Sequence, residues 1–269
     1  MTQPIGLAAL TVLELAPPDM VSCARDAGFD CVGLRLIPAT AEEPQHAMVG
    51  DTPLVRDTER RLRDTGIRVL DVEIFRLRPD TKASDYEAAL ATGARFGATQ
   101  ALVAGNDPDE ARLTASFAEF CDIARRYGIH ANLEPMPWTD CQNFAKAVRI
   151  VKAAARANGG VLIDPIHFDR GGGTATEIAG APRALFRYAQ LCDAPAERPT
   201  HLEELLHQAR AERLMPGDGG LDLEGILRAL PSDLPLSLEI PMQTLAKTVP
   251  AVERTKRMLA KTRRLLESL

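Results

Sequence analysis

Eight short apolar, β-branched runs recur along this chain, each separated from the next by a longer amphipathic stretch, and no other feature limits the fold so strongly. The runs lie at 5–10, 31–37, 67–74, 99–104, 129–134, 160–164, 188–192 and 234–240. Helical patterns occupy 17–27, 52–65, 84–96, 107–127 and 140–157, and a last, basic one covers 245–268. The phrases "DAGFDCVGL", "DTGIRVLDV", "RFGATQALV" and "RYGIHANLE" repeat one idea: a helix end, a glycine, then a buried strand. Glycine is the usual residue just past a helix, where the chain turns left-handed. Strands that are apolar throughout are buried on both faces, as a parallel sheet covered by helices requires.

Eight such units favour an α/β fold of the closed (β/α)₈ TIM barrel type over an open doubly wound sheet. The open sheet usually has fewer strands and, when it binds a nucleotide, carries a glycine fingerprint after its first strand. Here the first strand runs into Thr11-Val12-Leu13 instead. Gly171-Gly172-Gly173 lacks the Lys-Ser/Thr of a phosphate loop and reads as a barrel loop. The 269 residues match the roughly 250 that a barrel needs. No linker or low-complexity tract divides them, so 1–269 is read as one domain.

The balance of 32 basic and 37 acidic residues gives a net charge of −5, with no electrostatic footprint for a phosphate backbone. The arginine clusters at 60–63 and 261–264 fall on helical patterns and read as solvated faces. Five scattered cysteines form no CxxC pair and suit a reducing compartment. No leader and no bilayer-length apolar run is visible, so the expectation is a cytoplasmic protein without nucleic-acid or membrane partners. Exposed barrel helices leave room for a homodimer or homotetramer.

Active sites of this fold gather at the C-terminal ends of the strands. Four oxygen-bearing residues stand there on consecutive strands: Glu134 on the fifth, Asp164 on the sixth, Gln190 on the seventh and Glu239 on the eighth. Three carboxylates and an amide converging on one mouth repel one another unless a cation joins them. An all-oxygen set suits a hard divalent ion, Mg²⁺ or Mn²⁺ first, with Co²⁺ or Zn²⁺ as weaker fits. His167 follows Asp164 by three residues and is a candidate acid–base or hydroxyl partner. His130 shares a strand face with Glu134 and reads equally as a core histidine. Arg35, Arg76 and Arg213 are candidates for holding an anionic group, Glu73 is the obvious ion-pair partner in the same mouth, and Trp138 is a candidate apolar wall.

With these residues in view, the chain resembles the sugar phosphate isomerase/epimerase group of xylose-isomerase-like barrels over nearly its whole length. The matching motifs are Glu134 in "NLEPMPW", Asp164-Pro-Ile-His167, Gln190 in "QLCDA", the "PGDGGLDL" turn at 216–223, and Glu239. The resemblance implies one divalent metal on Glu134, Asp164, Gln190 and Glu239, with the two glutamates flanking the substrate carbons and moving the proton. It implies an isomerase or epimerase that acts on a ketose, keto-polyol or similar polyhydroxylated small molecule; the reading joined to it is an enediolate mechanism in which one of Glu134 and Glu239 removes the proton and the other, or His167, returns it. Many ketose- and inositol-acting members carry histidine where Gln190 stands, whereas glutamine also occurs in the group's 3-dehydroshikimate dehydratases. A dehydratase is therefore the second reading, marked by an arginine for the substrate carboxylate. A sugar-like binder without turnover is the third. The group's apurinic-site endonucleases use more histidine ligands than five scattered histidines supply.

Overall fold

The computed structural model describes residues 3–269. The chain alternates strand and helix as β1 (Ile5–Leu7), α1 (Pro17–Ala27), β2 (Cys31–Arg35), α2 (Pro53–Thr65), β3 (Arg68–Leu77), α3 (Glu87–Arg95), β4 (Gln100–Gly105), α4 (Glu110–Arg126), β5 (His130–Glu134), α5 (Phe144–Ala154) and β6 (Gly159–Val161). Two short helices, α6 (Pro165–Arg170) and α7 (Ala175–Ala179), precede β7 (Ala189–Leu191). Then come α8 (Leu202–Arg210), α9 (Leu223–Ala229), β8 (Leu236–Leu238), α10 (Gln243–Ala246) and α11 (Ala251–Glu267). All eight strands are parallel, in the order β6-β5-β4-β3-β2-β1-β8-β7. The curl closes where Ile163 bridges Ala189 and the Gln190 N–H donates to the Ile163 carbonyl at 2.9 Å. The result is the expected TIM barrel.

Local chemistry explains the boundaries. Thr52, Asp109 and Asn143 each cap a helix by accepting from a backbone N–H three residues on. Gly28 ends α1 with φ 90°, a conformation costly for any side chain. Outward strand residues such as Val32, Val72, Val103 and Leu133 pack under the helices in one continuous core. A smaller apolar set, including Leu102, Leu162 and Tyr188, fills the barrel interior.

Several expected boundaries move. The first strand stops at Leu7, because 9–12 winds into a 3-10 turn. The third extends to Leu77, which places Arg76 within the strand. The fifth helix ends at Ala154 with Ala155 left-handed, short of the glycine pair expected to stop it. The last helical pattern is broken: α10 stops at Ala246, and Pro250 starts α11 afresh, since proline cannot continue a helix through its nitrogen.

Candidate active site

The barrel geometry brings the strand-end residues together. Glu134 ends β5; Asp164 lies just past β6 and caps α6, its Oδ1 accepting from Ile166 N–H at 3.1 Å. Gln190 sits within β7, and Glu239 directly follows β8. All four are buried, as is His167 on the first turn of α6. The His167 Nε2 lies 3.8 Å from Glu134 Oε1 and 3.7 Å from Asp164 Oδ2.

Arg213 is wholly buried among them, and this was not part of the expectation that gave it a place at the substrate. Its Nη1 donates to Asp164 Oδ2 at 2.6 Å and its Nη2 to Glu239 Oε2 at 2.7 Å. Asp193, unnoticed in the sequence, positions it. The Asp193 carboxylate accepts from the N–H groups of Ala194, Gly217, Gly219 and Leu221, which clamps the "PGDGGLDL" turn just after Arg213. A Cβ on Gly219 would meet the Ala194 carbonyl at 2.3 Å, so only glycine fits that approach.

Electrostatics follow from this crowding. Five buried carboxylates, those of Asp71, Glu73, Glu134, Asp164 and Glu239, occupy the mouth and the strands beneath it. The guanidiniums paired with them are the buried Arg213 and the partly buried Arg35, the latter 3.1 Å from Glu73. Burial, then Glu239 and Asp164, push the Glu134 carboxyl well above the usual carboxylate range. Burial raises Glu239 to about 7 against the pull of Arg213. Burial also opposes ionisation of Asp164, but Arg213 and His167 outweigh it and hold that carboxyl low. Burial pushes His167 down to about 4, so its ring is neutral at pH 7.

This surplus of negative charge suits a cation, and the free lone pairs agree. The buried Glu134 Oε1 and Gln190 Oε1 have no hydrogen-bond donor. Gln190 turns its Nε2 to Glu239 Oε1 at 3.0 Å, which leaves its carbonyl oxygen as the open ligand. Ligand atoms of Glu134, Asp164 and His167 lie within 4.8 Å of one another, a cluster of the size that holds a divalent ion. His167 thus stands closer to the expected ligand set than its sequence position implied.

The remaining residues wall a pocket above this cluster. Trp138 meets His167 edge to face at 4.8 Å between ring centroids, and Arg210 of α8 lies over the same indole at 5.6 Å. Arg35 is neutralised by Glu73 and by Glu43, a residue the sequence reading passed over. Arg76 has one side-chain partner, Asn106 Oδ1 at 3.2 Å. Burial, then Arg210 and Arg78, lower its affinity for its proton. Among the described residues, neither Arg76 nor Arg210 makes an ion pair with a carboxylate. Arg210 was also missed: it closes the last turn of an ordinary-looking amphipathic helix.

Comparison with known proteins follows the same lines. A family model described as xylose isomerase-like TIM barrel matches residues 21–265. A 3-dehydroshikimate dehydratase from Pseudomonas aeruginosa is 26% identical over 201 residues, which cover 69% of this chain and 31% of that protein. The chain therefore spans about a third of that relative's length. A solved IolI protein with a bound zinc atom superposes with a TM-score of 0.79 at 19% identity, covering 99% of each chain. An L-ribulose 3-epimerase superposes with a TM-score of 0.72 at 17% identity, covering 99% of this chain and 95% of that one. Likeness at these identities is likeness of fold. No helix among the described residues is long and apolar enough to cross a membrane.

Proposed function

The chain belongs to the xylose isomerase-like TIM barrel family, and from that premise we propose that it is a metal-assisted enzyme that enolises a small polyhydroxylated ketone bearing an anionic group. More narrowly, we propose the dehydration of 3-dehydroshikimate. The carrying observation is the pair Arg76 and Arg210, which line the pocket without a carboxylate of their own. A neutral ketose offers such guanidiniums hydrogen-bond acceptors but no countercharge, whereas a substrate carboxylate supplies both in bidentate geometry. Gln190 and the dehydratase relative support the same choice.

A divalent ion, Mg²⁺ or Mn²⁺ before Co²⁺ or Zn²⁺, held by Glu134, Asp164, Gln190 and Glu239, would supply Lewis acidity at the substrate carbonyl. The side chains do the rest. Arg76 and Arg210 hold the carboxylate, and Trp138 packs on the ring. Arg213 keeps Asp164 ionised and fixes both Asp164 and Glu239 in place. Glu134 takes the proton α to the carbonyl, breaking that C–H bond. The hydroxyl on the next carbon then departs with its bonding pair. Neutral His167, beside Glu134, gives it a proton from one ring nitrogen and regains one at the other from Glu134, so water leaves. Tautomerisation of the dienone yields 3,4-dihydroxybenzoate.

Incubation with 3-dehydroshikimate and Mn²⁺ is expected to release 3,4-dihydroxybenzoate. Absence of both product and solvent-deuterium uptake into recovered substrate would sink the proposal. The second reading is the isomerase or epimerase. It rests on Glu134 and Glu239 entering one pocket from β5 and β8, a pair able to act on two faces of a carbanion. Deuterium uptake into a ketose, with a new stereoisomer and no water loss, would favour it. Binding without exchange on either compound class would favour the binder.

A further inference from the structure

We propose that Glu43 is a tethered anion that seals the pocket and gives way to the substrate's own anionic group on entry, so that the loop selects for anions. This rests on the reading that the substrate carries such a group. The pocket beside Glu134, His167 and Trp138 has a volume of about 40 Å³. That is room for about three waters, at roughly 10–15 Å³ each, while a cavity that takes up benzene is on the order of 150 Å³. A ring acid therefore enters only when protein moves aside. Outside lies a larger groove of about 540 Å³, walled by Thr11, Pro44, Pro241 and Met242 among others. Leu10, Glu43 and Arg210 line both spaces and so form the partition.

Of these three, Leu10 belongs to the 3-10 turn after β1 and Arg210 to helix α8. Glu43 lies on a stretch between β2 and α2 with neither helix nor strand. The root of that stretch is fixed: Met48 is buried, and Gly50 N–H donates to Thr92 Oγ1 at 2.9 Å. Its tip is tied inward by the Glu43 carboxylate, which accepts from Arg35 Nη1 at 2.8 Å and from the Ala39 N–H at 2.8 Å. Arg35 keeps Glu73 at 3.1 Å when Glu43 leaves, so release strands no charge on the arginine. A carboxylate held by Arg76 and Arg210 enters the pocket that Arg35 also lines, and replaces the negative charge that Glu43 gave Arg35. A neutral polyol cannot make that exchange, and the strap stays shut.

The test compares wild type with Glu43→Gln and Glu43→Ala, each with Mg²⁺ present. Calorimetry measures binding of 3,4-dihydroxybenzoate and of neutral catechol, and NMR follows hydrogen exchange of the Ala39 amide. The variants no longer hold the site shut, so 3,4-dihydroxybenzoate is expected to bind about tenfold tighter to them, and catechol, which cannot open the wild-type strap, to gain at least as much. The Ala39 amide is expected to exchange faster in both variants without ligand, and faster in wild type once 3,4-dihydroxybenzoate is added. Equal Ala39 exchange in the three free proteins would overturn the latch even if no probe bound. Equal affinities for 3,4-dihydroxybenzoate would overturn the anion exchange. Tighter binding in the variants with no turnover of 3-dehydroshikimate would retire the dehydratase reading and keep the latch. Turnover with unchanged affinity would do the reverse.

Discussion

Arg76 is held by one amide oxygen and repelled by Arg210 and Arg78, an arrangement that a bound carboxylate relieves. Truncating one partner of a buried charged pair typically costs 2–5 kcal/mol, so Arg76→Leu is expected to raise KM for 3-dehydroshikimate about 50-fold. The change in kcat should be small by comparison, and an unmoved KM in steady-state kinetics would remove Arg76 from the substrate. His167 allows a separate test of its environment. Its folded pKa is depressed to about 4 from an ordinary 6.5, so the unfolded chain takes up this proton first as pH falls. Stability tied to His167 is therefore intact above pH 6.5 and is lost as pH drops toward 4, by about 3 kcal/mol in the metal-free protein. In urea titrations the gap between wild type and His167→Asn should shift by that amount in favour of the variant between pH 7 and pH 4. A gap independent of pH would mean the imidazole is not buried neutral. Glu134 and Glu239 were legible in the sequence because each is a carboxylate closing an apolar strand. Arg210 and Glu43 were not, because a helix end and an irregular loop carry no period that says which way they face.

The element that most shapes this pocket is the segment between β7 and β8, where α8 delivers Arg210 and the turn after it delivers Arg213. The turn has no regular secondary structure and is held through Asp193. Loss of that carboxylate leaves several backbone N–H groups without an acceptor, at a cost of about 3 kcal/mol. Asp193→Ala is therefore expected to lower stability by that amount in denaturant melts and to cut kcat as Arg213 drifts. Gly219→Ala should do the same through its clash with Ala194, and a wild-type melt for both would refute the clamp. The starts of β2 to β5 were readable because each follows a glycine that ends a helix. Strand ends were not, since the same apolar residues continue into turns. The break before α11 was missed because the apolar spacing runs on across Pro250, whose missing N–H decides the matter.

At the scale of the molecule, the barrel was legible because its period is global: eight strand–helix units leave few other ways to bury strands that are apolar on both sides. Charge balance was not, because the net charge of −5 says nothing of where the carboxylates are. Only the folded arrangement shows five of them buried around two paired arginines. The central claim is that this surplus holds a divalent ion and drives enolisation of an anionic hydroxyketone. The most direct test is 3-dehydroshikimate turnover by chelator-stripped protein titrated with Mn²⁺, beside Glu134→Gln treated alike. The expected result is 3,4-dihydroxybenzoate formation that saturates at one ion per chain and falls at least about a thousandfold in the variant. Turnover that is indifferent to the ion, or that survives in Glu134→Gln, would contradict it.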